Sequence, residues 1–197
     1  MKKFEEMKFN IGELKGISTK NIEEHLKLYA GYVNQANLVL EKINELSKNA
    51  EVNMDFLSGL QKRFGFEYNG IRNHEVYFSS LSGNANILKE KSKLRETISS
   101  EWGSFEKWLA LFKVIATTRG IGWVMLYFDK KENRPFNAWI DEQHLGQLQD
   151  CTPIIALDMW EHAYLFDYVP SEKKKYIEAF FENLNWENIE KNFIEVI

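Results

Sequence analysis

The sequence predicts an α + α/β protein, with an N-terminal helical hairpin followed by a C-terminal domain of helices packed on a three-stranded antiparallel sheet. Three observations predict it. Apolar residues recur at helical spacing from Ile22 to Leu81, short β-branched and aromatic runs replace that spacing after Gly122, and helical spacing returns over 171–193. A polar break at 82–86 and a charged run at 89–93 put a domain boundary near residue 88. The hairpin is therefore assigned 1–87 and the α/β domain 88–197.

Residues 1–17 are a lead-in whose Gly12 and Gly16 break any periodicity. Ser18 and Thr19 then offer caps for a helix, with Glu23 and Glu24 placed early enough to suit its dipole. Leu26, Tyr29, Val33, Ala36, Leu40 and Ile43 repeat at steps of three and four, which carries this helix to about residues 45–48. A second helix opens near Asn53 and runs through Leu57, Leu60 and Phe64. Gly65 and Gly70 are expected to interrupt it before a third, over 73–81. Further helices are expected over 88–99 and 102–118, ended by Arg119-Gly120-Ile121-Gly122. Residues 123–128 and 135–140 read as an antiparallel strand pair about a polar turn, and 153–157 as a third, buried strand. The tail reads as one helical stretch over 171–193.

Composition narrows the function. Hydrophobic residues make up 44% and charged residues 27%, which supports a packed core rather than a disordered chain. The net charge of −4 comes from interspersed acids and bases, with no basic stripe for nucleic acid. The one cysteine, Cys151, excludes an internal disulfide and any zinc site built on two or four thiolates, and points to a reducing compartment. The opening MKKFEEMKFN lacks the apolar segment of a signal peptide, and no run reaches transmembrane length. The expectation is a cytoplasmic protein with no nucleic-acid or membrane partner.

The third strand leads into DMWEHAY, residues 158–164, where Asp158 and His162 stand four apart. A tight turn or one helical turn puts both side chains on one side of the backbone. A carboxylate and an imidazole so placed suit Fe, Mn or Zn, although a helix-opening Asp and a salt-bridged His is the plainer alternative. Only three other histidines exist: His25, His74 and His144. His25 alone reads as a helix-surface or capping residue. His74 shares a face with Phe78 and Leu81, as a core residue or a ligand. Three imidazoles and one carboxylate would leave a coordination position open for solvent or a small substrate.

DMWEHAY resembles the DxWEHAY signature of the iron/manganese superoxide dismutase family, and further motifs extend the resemblance over about 18–193. Asn73-His74 with Tyr77-Phe78 and Leu81 is similar to the family's NHxxFWxxL helix. Trp102-Gly103-Ser104-Phe105-Glu106-Lys107, then Gly122-Trp123, resemble its FGSFEKF and GSGW pieces. Tyr168, Lys173, Tyr176, Phe180 and Asn185-Trp186 resemble its closing helix. The resemblance implies one Fe or Mn ion per subunit on His25, His74, Asp158 and His162. It also implies dismutation of superoxide to dioxygen and hydrogen peroxide, and a homodimer or homotetramer formed through the C-terminal domain. Glu161 would reach His162 of the partner subunit, Tyr32 would stand at the funnel mouth, and Trp123 and Trp160 would wall the metal.

The chain also departs from the family. His25 precedes Tyr32 by seven residues, one fewer than the family pattern HHxKHHxxYV, so an ungapped match puts Glu24 in the ligand position. Loss of a π-bulge would restore His25, which is the preferred ligand. The family's funnel histidine is replaced near Leu28 or Tyr29, and the second tyrosine of WEHAYY by Leu165. Gly70 occupies the place where some iron enzymes carry a glutamine beside the metal. Its substitute is expected from Gln143 or His144, with His144 marginally the better match. The alternative function is a metal-binding or interaction protein that keeps the scaffold without turnover.

Overall fold

The computed structural model describes residues 2–48 and 53–197. Helix α1, Thr19–Leu46, is capped by the Ser18 hydroxyl, which accepts from the Asn21 backbone N–H. Its buried residues, Ile22, His25, Tyr29, Val33, Ala36 and Val39, form one stripe at steps of three and four. His25 thus lies on the core face rather than the surface. The helix is regular throughout, with no π-bulge between His25 and Tyr32.

Helix α2, Met54–Ser80, opens on Asn53, whose side chain accepts from the Phe56 N–H. It runs unbroken through Gly65 and Gly70, so the expected interruption there is corrected. Each glycine costs up to about 1 kcal/mol in a helix interior, but a helix packed along α1 outweighs a local preference of that size. Gly70 has a packing reason. A Cβ there would lie 2.5 Å from Cδ1 of the Tyr32 ring, well inside contact distance.

In the second half, α3 (Lys93–Trp102) and α4 (Phe105–Ala116) are separated by Gly103, which ends α3 in the left-handed conformation. Strands β1 (Gly122–Asp129), β2 (Arg134–Asp141) and β3 (Cys151–Asp158) form an antiparallel sheet in the order β2-β1-β3. Helices α2 and α4 and the C-terminal helix at Trp186–Ile194 pack on this sheet, so central strand β1 is buried from Gly122 to Phe128. The register pairs Trp123 with Asp158 and slips once, between Leu126 and Tyr127, where Ile154 is the extra residue of a bulge. Pro153 sits beside it, a position that does not need the missing N–H.

Asp158 is followed by a 3₁₀ turn, Glu161–Ala163. The tail is not one helix but two, α5 (Lys173–Glu182) and α6 (Trp186–Ile194), after a short 3₁₀ turn at Pro170–Glu172. The break has a clear cause. Asn183 bonds the backbone N–H and C=O of Lys15, Leu184 bridges to Leu81, and the Asn185 side chain caps α6. These bonds tie the lead-in, the end of α2 and the tail together near the sheet.

Two of the glycines within α2 make opposite predictions. Gly59 is exposed on α2 with nothing within 4 Å of an added Cβ, so Gly59→Ala is expected to stabilise by about 0.5–1 kcal/mol. Gly70→Ala must displace the Tyr32 ring and is expected to cost about 1–3 kcal/mol. Urea midpoints of the two variants should move in opposite directions.

Candidate metal centre

Four elements of the fold bring four donors together. His25 comes from α1, His74 from α2, Asp158 from the end of β3, and His162 from the 3₁₀ turn that follows. One donor atom of each lies within 4.8 Å of all the others. The imidazole Nε2 atoms of His25, His162 and His74 stand 3.1, 3.2 and 3.7 Å from Asp158 Oδ2. The other carboxylate oxygen, Oδ1, accepts from the Trp160 backbone N–H at 2.8 Å. One oxygen therefore builds the turn that carries His162, and the second faces the cluster.

The protonation states follow from the surroundings. His74 Nδ1 lies 2.6 Å from the Gly70 carbonyl, which can only accept, so Nδ1 carries the proton and Nε2 the lone pair. That Nε2 is buried and has no hydrogen-bond partner. Burial, with the neighbouring His25, lowers the His74 pKa to about 3. Burial also lowers His25, against the pull of Asp158. For Asp158 burial acts upward, but the His162 and His25 imidazoles outweigh it and hold the carboxyl below its ordinary range. At Asp158, His74 and His25 the surroundings thus favour a carboxylate and two neutral imidazoles, the forms that bind a metal ion.

Aromatic rings wall the cluster. The Trp123 ring meets His74 edge-on at 5.0 Å, Tyr32 lies 5.1 Å from the other side of His74, and Trp160 stacks on His162 at 5.7 Å. Tyr77 and Phe78 cover His25 at 5.0 and 4.9 Å. Beside these walls, Gln143 is fully buried. Its Oε1 accepts from Trp123 Nε1 and its Nε2 donates to the Tyr32 hydroxyl, both at 2.9 Å. His144 is part-buried and stands against Phe66 and Gly65 instead.

The donor set fits an ion. An ion in the cluster would satisfy the His74 lone pair, which otherwise costs about 1–3 kcal/mol as an unpartnered buried acceptor. Three imidazole nitrogens and one carboxylate oxygen, with no thiolate, suit Fe or Mn. Comparison with known proteins agrees. The family model for iron/manganese superoxide dismutases, C-terminal domain, matches residues 90–192. A superoxide dismutase [Fe] of Cupriavidus metallidurans is 32% identical over 188 residues, covering 94% of this chain and 92% of its own length.

The chain belongs to the iron/manganese superoxide dismutase family. Its relatives carry either metal in their names. A superoxide dismutase [Fe] of Tetrahymena pyriformis is 31% identical over 88% of this chain and 89% of its own. A superoxide dismutase [Mn] of Mycolicibacterium smegmatis is 29% identical over 95% of this chain and 90% of its own.

The residues where the chain departs from the family pattern have definite places. Glu24 lies outside the cluster and pairs with Lys27 at 2.7 Å, while His25 lies within it. Tyr29 is buried, and its hydroxyl accepts from the Met7 N–H and donates to the Glu75 carboxylate. Leu28 and Leu165 are exposed, as is neighbouring Phe166. Glu161 is exposed on its turn, where its backbone carbonyl accepts from the Tyr164 and Leu165 N–H groups, and its carboxylate makes no hydrogen bond or ion pair among the described residues. Sequence reading missed Phe66, which packs on Tyr32, His144 and Trp160, and Gln147, which bonds beside Gln143. The i,i+4 spacing of Gln143 and Gln147 was the available signal. Among the described residues, no helix is long and apolar enough to cross a membrane.

Two measurements probe the cluster. His74→Ala should lower bound Fe or Mn from one ion per chain to well below stoichiometric after dialysis, read by elemental analysis. The second concerns acid. Above pH 6.5, His74 is neutral whether folded or unfolded. Below it, the unfolded chain takes up a proton that the folded site refuses down to about pH 3. Metal-free protein should therefore lose stability as pH falls through this window, by about 1.4 kcal/mol per pH unit for each such histidine. Urea midpoints at successive pH values check it.

Proposed function

We propose that this chain is a superoxide dismutase, converting two superoxide ions and two protons to dioxygen and hydrogen peroxide. The observation that carries the reading is the four-donor cluster opening beside a hydrogen-bonded tyrosine and glutamine. His25, His74, Asp158 and His162 would hold one Fe or Mn ion per subunit. Bound there, the ion would supply one-electron redox chemistry in both directions.

The chain's own residues do the rest. Peroxide leaves with two protons, so the site needs a donor that stays protonated at working pH. Burial, with the nearby Asp158 and Glu67 charges, raises the Tyr32 pKa far above neutrality, so its hydroxyl keeps its proton. Trp123 Nε1 is a donor only, which forces Gln143 Oε1 toward the indole and Nε2 toward Tyr32. The Tyr32 oxygen is thus an acceptor from Gln143, and its own hydrogen is left to donate to product. Trp123 and Trp160 exclude bulk water from the histidines they cover. Gln143, rather than His144, is the polar group we place next to the reacting centre, because it alone of the two is bonded to both walls.

We also propose a homodimer, with the tetramer as its further assembly. Exposed Glu161, Leu165 and Phe166 lie together on the turn beyond the ligands and supply the contact surface. Glu161 would reach His162 of the partner subunit. The single cysteine supports a reducing, cytoplasmic setting. The second reading, a metal-binding protein without turnover, is favoured by one observation, the leucines at 28 and 165 in place of the family's polar entrance pair.

Loading the purified protein separately with Fe and Mn and measuring superoxide decay decides between them. The expected result is one ion per chain and rapid turnover with at least one metal, with Gln143→Ala slowing it about 10- to 100-fold. Stoichiometric metal without turnover would overturn the dismutase reading.

A further inference from the structure

Beyond the groups lining the centre, a chain of amides continues outward from Gln143 toward the sheet. The Gln143 main-chain carbonyl accepts two hydrogen bonds, from Asn73 Nδ2 at 2.9 Å and from Gln147 Nε2 at 3.2 Å. Gln147 Nε2 also donates to Asn73 Oδ1 at 3.1 Å, and Gln147 Oε1 accepts from the Tyr127 hydroxyl. Every orientation in this set is determined. A carbonyl can only accept, so both amide nitrogens must turn to Gln143, and the two oxygens are left for Gln147 and Tyr127. Asn73, Tyr127 and Gln143 are buried and Gln147 is half-buried, and bonds so interlocked hold one arrangement.

The network joins three elements that matter to the centre. Asn73 precedes the ligand His74 on α2, Tyr127 lies on β1 four residues from Trp123, and Gln143 lies between β2 and β3. Gln143 in turn bridges Trp123 and Tyr32, the two rings that pack on His74. Moving the Gln143 backbone therefore moves the carboxamide against both rings. The metal site itself uses neither Gln147 nor Tyr127.

We propose that Gln147, locked by Tyr127, is a positioning residue for this centre: it holds the Gln143 carbonyl against Asn73 and so fixes where the Gln143 carboxamide stands between Trp123 and Tyr32. The inference rests on the centre being a redox site. A hydrogen-bond donor held close to a redox metal favours one oxidation state over the other, so loosening it changes the balance between them. Tyr127 acts one bond further out. Its hydroxyl is the donor that keeps Gln147 from turning its oxygen inward.

The test uses whole protein loaded with Fe or Mn, as wild type, Tyr127→Phe and Gln147→Leu. Each sample is titrated for the ratio of oxidised to reduced metal at a fixed poise, for azide affinity in the oxidised form, and for Tm. The expected result for Gln147→Leu is about a tenfold change in the ratio, which is about 59 mV for one electron, with a parallel change in azide affinity. A change below threefold overturns the proposal, however far Tm falls, because a purely structural role lowers Tm and leaves the ratio alone. Should Gln147→Leu fail to fold, Tyr127→Phe, which removes only a hydroxyl, decides by the same threshold. Superoxide decay by the wild type separates the two readings. A shifted ratio without wild-type turnover overturns the dismutase reading and keeps the positioning role, whereas turnover with unmoved ratios does the reverse.

Discussion

The centre depends on the two oxygens of Asp158 facing different ways. Burying a carboxylate costs several kcal/mol unless charge-assisted bonds compensate, and here both oxygens are used. Oδ1 takes the Trp160 N–H and so starts the turn that carries His162, while Oδ2 stands among three imidazoles. Where the carboxylate stands is decided in the sheet. Asp158 pairs with Trp123 only because β3 slips once at Ile154; without that bulge every later residue of β3 would exchange faces. A defect in the ladder four residues upstream thus sets the direction of the ligand.

The architecture was readable because its two periods differ. Steps of three and four outside residues 123–157, against short apolar runs within them, are enough to separate helical layers from a sheet. The errors were at residues whose local preference is overruled by something distant. Gly65 and Gly70 read as breaks because a glycine weakens an isolated helix, yet α2 is held along its length by α1. The tail read as continuous because Asn183 and Asn185 carry no strong stop signal. They end and restart a helix only because Lys15, Leu81 and Ser80 lie within reach. Sequence spacing cannot show such partners.

For the site, DMWEHAY carried most of the information, since Asp158 and His162 are close in the chain. Nothing in spacing alone joins His25 to His74, which lie on separate helices, and each read more simply as a surface or core residue. The donor chemistry of three imidazoles and one carboxylate groups them as a candidate set, and the family pattern supports that grouping. That pattern, matched without a gap, points to Glu24, and His25 is preferred only if one residue is lost from the helix. In a regular helix one residue is a turn of about 100°, and the stripe Ile22, His25, Tyr29 faces the core while Glu24 turns to Lys27 in solvent.

The choice between Gln143 and His144 has a chemical side as well as a geometric one. The position must accept from an indole N–H and donate to a phenol oxygen at the same time. A neutral imidazole can do both, but gaining a proton removes its acceptor and losing the right tautomer removes its donor. A carboxamide does both at every pH. With Gln143 there, the bridge between Trp123 and Tyr32 does not titrate. Gly70 completes this arrangement by omission. Any side chain at that position would push into the Tyr32 ring, so the ring's seat against His74 and its hydrogen bond from the Gln143 carboxamide are set together.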